Sequence, residues 1–421
     1  MPTRLVSSRF SCLPIIEICL IVCFVLFSGP ALAWGTSVQI LFMPKPAQGA
    51  HFMGTLTFDP QGNLYGVTEE GGLECQGFRK GCGSVLKLVP RPGGEWEAQI
   101  LHRFMGGTDG QLPYAGVVLD SEGNLYGTTA AGGLVQEGGD GDGTVYEISP
   151  QGKNWKETIL HVFAQQAPDG ESPTGALTFD QNGNLYSTTY ESYGCGAGTV
   201  FELSPNRNGG WSENLLYCFE NGLDGQYPTT GVIFDAEGNL YSTTYLGGAT
   251  GYGTAFELSP SGGGWTESVL YSFSASTGES AYAPLARDQA GNLYGITDSS
   301  VFELTPSEGG WSYSSLYTNP GGPNGVAPYS LMIDETGNLY STGTGGSGNC
   351  KGGCGTVFKL TPESGAWQFT VLYNFPGGFG GEFPLGGLIM DGQGNLYGTT
   401  YSGGRRGCGG GGCGLVFELT P

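Results

Sequence analysis

From residue 34 onward, the apolar residues fall in short runs rich in Val, Ile, Leu, Tyr, Phe and Thr, each bounded by Gly, Pro, Asn or Asp. Such runs read as β-strands, and the bounding residues supply the turns between them. No sustained helical periodicity occurs, so helices are not expected. The runs also repeat. Asp-x-x-Gly-Asn-Leu-Tyr occurs seven times, with its Asn at 63, 124, 184, 239, 292, 338 and 395. A second string, close to Thr-Val-Phe-Glu-Leu, follows each copy, as at 199–203 and 356–360. A third begins at a Trp and runs into an apolar segment such as Val269-Leu-Tyr, and each of the seven Trp residues opens such a segment.

Each unit therefore offers four strand segments. Segment A is Gly-Val-Ile-Phe-Asp (231–235) and its equivalents, and segment B is Asn-Leu-Tyr-Gly-Thr-Thr. Segment C is Thr-Val-Phe-Glu-Leu, and segment D runs from near the Trp to a Phe. The Asp-x-x-Gly-Asn stretch between A and B is hairpin chemistry, because Asp accepts from turn amides and Gly takes a positive φ. A Pro closes segment C, since it cannot donate to a ladder. Four antiparallel strands repeated seven times predict an all-β fold, a seven-bladed β-propeller of four-stranded blades. A linear β-solenoid is the weaker rival, because its repeats are usually shorter and its strands parallel. The region 34–421 opens on a D-type segment, 34–42, and ends on a C-type segment, 415–419. The last blade, formed by 376–421, is thus expected to be completed by the N-terminal strand, with Val38–Phe42 paired to Leu415–Leu419. That closure removes an open sheet edge.

Composition adds the setting. Residues 1–33 read as a signal peptide: Arg4 and Arg9 precede an apolar run, 18–27, which is followed by Ala31-Leu32-Ala33. The run is too short for a membrane span, so a secreted, periplasmic or cell-surface protein without a span after cleavage is expected. The formal charge of -22 opposes binding to nucleic acid. Eight cysteines follow the signal segment, an even number that suggests disulfides. Cys75 and Cys82, Cys350 and Cys354, and Cys408 and Cys413 each share one B–C loop. Cys195 precedes strand C of blade 3 and Cys218 ends its strand D, so these two are also expected to pair.

Candidate chemistry is sparse. His102 and His161 sit where other units carry Tyr, and His51 has no evident partner, which supports neither a triad nor a His-rich metal site. Asp109, Asp169 and Asp224 lie in D–A loops but lack the dense oxygen-ligand spacing of a calcium loop. The repeated Glu of segment C becomes Lys87 and Lys359 in two units, so it reads as a strand position rather than a catalytic acid. Among the carboxylates that break the repeat, Glu69, Glu70, Glu191 and Asp298, none has an evident partner. No catalytic residue, metal or cofactor is therefore assigned. The B–C loops of blades 6, 7 and 1 hold Arg79, Lys80, Lys351, Arg405 and Arg406, five of the 16 basic residues of the chain. They suggest a basic rim for an anionic ligand on the face of the B–C and D–A loops.

The stretches 394–404, 416–421 and 104–116 closely resemble the GloVer (Gloeobacter/Verrucomicrobium) tandem repeat of exported bacterial proteins. The resemblance extends over 34–421. It implies a secreted or surface protein with no assigned activity and supplies no catalytic residues. Many members carry a C-terminal sorting anchor, whereas this sequence stops within its last unit. The function expected is a non-catalytic binding or scaffold module of the envelope, a monomer, with carbohydrate or an envelope protein as partner. The alternative is an exported carbohydrate-active enzyme or lyase on the same scaffold.

Overall fold

The computed structural model describes residues 36–72, 75, 80–134, 140–164, 168–321, 326–408 and 411–421. The expected signal peptide, Trp34 and Arg79 lie outside the described residues. Seven antiparallel sheets follow one another as blades of four strands, each running A-B-C-D outward, with Val326–Pro328 paired in addition to strand B of blade 6. Blade 1 comprises Ala50–Phe58, Leu64–Glu70, Ser84–Pro90 and Trp96–Arg103. In blade 7, Ile389–Met390, Leu396–Thr400 and Leu415–Thr420 are completed by Ser37–Phe42 from the other end of the chain. That strand pairs antiparallel, Val38 opposite Leu419 and Phe42 opposite Val416, with one irregularity between Ile40 and Phe42. The expected closure of Val38–Phe42 against Leu415–Leu419 is thus observed.

The hairpin string works as its chemistry predicts. Asp59 Oδ1 accepts from the backbone N–H of Gln61 (3.0 Å) and Asn63 (2.8 Å), and Oδ2 accepts from the Asn63 amide and from the Tyr65 hydroxyl at 3.0 Å. The same set recurs at Asp391 with Asn395 and Tyr397. The Tyr also fixes the next strand. Tyr186 and Tyr294 donate to Glu202 and Glu303 of strand C, each at 3.0 Å. Where Lys replaces that Glu, its ammonium lies over the ring instead: Lys87 is 5.0 Å from the Tyr65 centroid and Lys359 is 5.3 Å from that of Tyr340. A phenol offers a donor to an anion and a π face to a cation, so the position accepts either sign.

The core is divided among the blade interfaces. Seven apolar clusters of described residues each straddle one pair of neighbouring blades, including 7 against 1. Wholly buried Phe residues just beyond strand D meet a strand-C aromatic of the next blade edge-on, as in Phe163–Phe201 (5.3 Å) and Phe375–Phe417 (5.2 Å). Such pairs contribute about 0.5–1.5 kcal/mol beyond area burial. Strand A is only two residues long in blades 2–7, shorter than its pattern suggests. Near the axis the inner strands crowd: a Cβ on Gly116 would lie 2.1 Å from the Thr55 carbonyl oxygen, and one on Gly231 would lie 2.2 Å from that of Ala176.

All four expected disulfides form. Cys75–Cys82, Cys195–Cys218, Cys350–Cys354 and Cys408–Cys413 have Cα separations of 5.9, 5.4, 5.1 and 5.0 Å.

Candidate functional site

The inner strands and the loops above them enclose an axial cavity of about 820 Å³, within the range of small-molecule sites. Its wall is built from backbone and small residues such as Gly54, Thr55 and Gly116, and six blades each add one tyrosine at the loop face. Tyr114, Tyr282 and Tyr329, of blades 2, 5 and 6, stand at the end of the D–A loop. Tyr190, Tyr245 and Tyr401, of blades 3, 4 and 7, follow the threonine pair of strand B. All but Tyr401 line the cavity itself. Blade 1 supplies Met53 and Glu69 at the two equivalent positions.

These side chains form one belt. The Tyr114 hydroxyl donates to Glu69 Oε1 at 3.0 Å across the first blade interface. Tyr282 and Tyr329 lie 5.5 Å apart between centroids, and Tyr190 stacks on Tyr227 at 4.9 Å. The Tyr282 hydroxyl donates to the Pro328 carbonyl at 2.7 Å. In blades 3 and 4, where the D–A position holds Thr174 and Thr229, their buried hydroxyls have no hydrogen-bond partner in the protein. Burial raises the Tyr114 and Tyr401 phenols, Glu69 pushing the same way, that of Tyr401 to about 12. The Tyr114 and Tyr401 phenols therefore stay protonated and present neutral O–H groups. Among the described residues, no Asp, Glu, His, Lys or Arg lines the cavity.

A backbone clamp fixes the belt. Leu112, Ser172, Tyr227 and Phe383 each precede a Pro and adopt a left-handed backbone, φ +55° to +58°. Non-Gly residues in this region cost of order 1–3 kcal/mol and persist where their surroundings hold them. Here two hydrogen bonds hold each one. The Leu112 N–H donates to the Cys82 carbonyl of the preceding blade (3.1 Å), and its own carbonyl accepts from the Ala130 N–H (3.0 Å). Tyr227 repeats this with Ala197 (2.9 Å) and Tyr245 (3.0 Å), and Phe383 with Cys354 (2.7 Å) and Tyr401 (2.8 Å).

The basic loop residues are arranged differently. The Lys80 ammonium lies 2.9 Å from Glu70 Oε1, so its charge is paired. Lys351, Arg405 and Arg406 are exposed. Among the described residues no hydrogen bond or ion pair joins one of these basic side chains to another. His51, which lacked an evident partner in sequence, packs edge-on to Tyr401 at 4.4 Å, with Nε2 3.8 Å from Glu70 Oε2. Of the repeat-breaking carboxylates, Glu69 and Asp298 occupy the position that carries Tyr in blades 3, 4 and 7.

A family model described as the Gloeobacter/Verrucomicrobia repeat matches residues 133–300. Residues 133–300 are thus similar to this repeat. The match runs from the B–C loop of blade 2 to the first residue of strand C in blade 5, and the Asp-x-x-Gly-Asn string within it recurs in the remaining blades. No curated protein matches the chain. Among solved structures, the extracellular domain of a proposed hybrid two-component system of B. thetaiotaomicron is 11% identical, with a TM-score of 0.56. The alignment covers 91% of this chain and 39% of that one. A protein from Lactobacillus plantarum is also 11% identical (TM-score 0.52), over 84% of this chain and 98% of that one. A proposed 6-phosphogluconolactonase from Bacteroides uniformis is 14% identical, with a TM-score of 0.49, over 79% and 86% of the two chains. At such identities the likeness is one of fold.

Proposed function

We propose that the chain is an exported, non-catalytic binding module whose ligand is a neutral, hydroxyl-rich molecule, a carbohydrate, held in the tyrosine-belted mouth of the axial cavity. The observation that carries this reading is the belt itself: five tyrosines from five blades line the cavity. Aromatic faces cover the apolar C–H faces of a sugar ring, and phenol and threonine hydroxyls exchange hydrogen bonds with its oxygens. An uncharged wall admits such a ligand without stranding a buried charge. The four disulfides favour an oxidising compartment and so support export.

A glycan array with the chain from residue 34 onward, followed by calorimetry on the best ligand, tests the reading. Tyr190→Ala and Tyr282→Ala should each weaken binding by roughly 10-fold or more while the melting temperature stays near wild type. Undiminished binding in both variants overturns the tyrosine site. Arg405→Glu combined with Arg406→Glu, measured on the same ligand, separates the expected basic rim from the belt. Binding lost only in this variant places the ligand on the exposed loop cations.

A further inference from the structure

Two side-chain clusters lie away from the axial cavity, at the outer half of consecutive blade interfaces. His102 of strand D in blade 1 (Trp96–Arg103) faces Asp109 of the following loop and Glu157 of strand D in blade 2 (Asn154–Val162). His102 Nε2 is 3.2 Å from Asp109 Oδ1 and 3.6 Å from Glu157 Oε1. One blade further on, His161, Asp169 and Glu213 repeat the arrangement, with His161 Nε2 3.5 Å from Asp169 Oδ1 and 3.9 Å from Glu213 Oε2. We propose that each His–Asp–Glu cluster is a binding site for a divalent transition-metal ion, the two ions clamping blade 1 to blade 2 and blade 2 to blade 3.

The donor geometry supports this. Ligand atoms about 2.1 Å from a tetrahedral ion lie about 3.4 Å from one another, and the imidazole-to-carboxylate separations fall around that value. The His102 Nε2, Glu157 Oε1 and His161 Nε2 atoms are buried, and each imidazole nitrogen faces its two carboxylates. One imidazole with two carboxylates is a donor set for zinc and its first-row neighbours. The loop carboxylates are also held from behind. The Met105 N–H donates to Asp109 Oδ2 at 2.6 Å and the Ala164 N–H to Asp169 Oδ2 at 3.0 Å, while Asp169 Oδ1, beside the imidazole, also accepts from the Gly170 N–H at 2.8 Å. Each imidazole is steadied edge-on by the Phe two residues later, at 4.8 Å for Phe104 and 4.6 Å for Phe163. Supports of this kind orient metal ligands.

The other interfaces show that the fold does not need these charges. At the matching positions Tyr271 stacks on Tyr313 at 4.8 Å and Tyr317 on Phe369 at 4.7 Å. Two carboxylates taken out of water at one interface are costly unless a cation accompanies them, and an imidazole beside them supplies the third ligand. Between blades 3 and 4 the acid pair remains but Tyr217 replaces the imidazole, its hydroxyl donating to Asp224 at 3.3 Å. That copy indicates a substitution the fold accepts.

The test uses the chain from residue 34 onward, stripped with a chelator and dialysed. Zn²⁺ titration by calorimetry should give two ions per chain, and Co²⁺ should develop a visible d–d band that Zn²⁺ abolishes. Zn²⁺ should raise the melting temperature by several degrees, since it binds only the folded state. His102→Tyr and His161→Tyr should each remove one ion, and the double variant both, while it melts near the metal-free wild type. No uptake of either ion by wild type at 100-fold molar excess, or uptake by the double variant equal to wild type, overturns the proposal. The stoichiometry of the unsubstituted chain decides even where a variant fails to fold.

Discussion

Glu267 shows how one residue reports its blade interface. It stands where Glu157 and Glu213 stand, but faces Tyr217 and Asp224 rather than an imidazole. Burial raises its carboxyl to about 7, and the charge of Asp224 adds to the shift. An unfolded Glu titrates near 4.3. A carboxyl whose folded pKa lies above its unfolded one favours folding in acid, and that contribution is lost as pH rises from about 4.3 through about 7. Glu267→Gln removes the ionisation. The variant should melt higher than wild type at pH 8 and show no such advantage at pH 4.5. Paired melts at the two pH values check this, and an equal offset at both would mean that packing rather than charge sets the difference. Sequence showed which residues recur at this position but not that they meet, because Tyr217 and Glu267 lie on successive blades and only the ring brings them together. That His102, Asp109 and Glu157 come together was hidden for the same reason. The signal available was the recurrence of the same three residue types, in the same order, one unit later.

At the scale of strands and loops the repeat made most of the structure legible. The Asp-x-x-Gly-Asn string encodes a closed hydrogen-bond set within one hairpin, so Asp59 and Asn63 need nothing from the rest of the chain to specify their turn. The cysteine pairs were legible because each lies within one loop or on adjacent strands. The tyrosine belt was not, although its positions vary while the residues around them repeat. Tyr114 and Tyr190 sit at different places in the unit, and they converge only because the D–A and B–C loops lie over the same cavity. The disulfides differ in what they restrain. Cys195–Cys218 closes a loop of 23 residues and Cys350–Cys354 one of 4. The chain-entropy estimate gives roughly 3.4 kcal/mol for the first and roughly 2 kcal/mol for the second. Replacing both cysteines of a pair by serine should therefore lower the denaturant midpoint more for Cys195 and Cys218 than for Cys350 and Cys354. The reverse order would show that the short loop's disulfide acts on the folded state, through the residues packed around it.

For the whole ring, closure is the step on which the blades depend together. Ser37–Phe42 supplies the outer strand of blade 7 and buries Leu41 against blade 1. Val38 packs at the interface of blade 7 with blade 6, beside Tyr373. A single short strand thus ties three consecutive blades and covers the outer edge of Leu415–Thr420, an edge that otherwise invites pairing with another chain. Burying side chains of this size contributes about 1.5–3 kcal/mol each, so Val38, Leu41 and Phe42 together contribute on the order of 5 kcal/mol. In a chain of this length that corresponds to a melting shift of about 6 °C. Deleting residues 34–42 should lower the melting temperature by about that amount and increase self-association in sedimentation. A synthetic peptide of residues 36–43, added in excess, should restore much of the loss, because it can pair with the same edge. An unchanged melt after the deletion would mean that blade-to-blade packing alone closes the ring. Loss without rescue by the peptide would mean that the strand acts through its covalent attachment to blade 1 rather than through the ladder it forms.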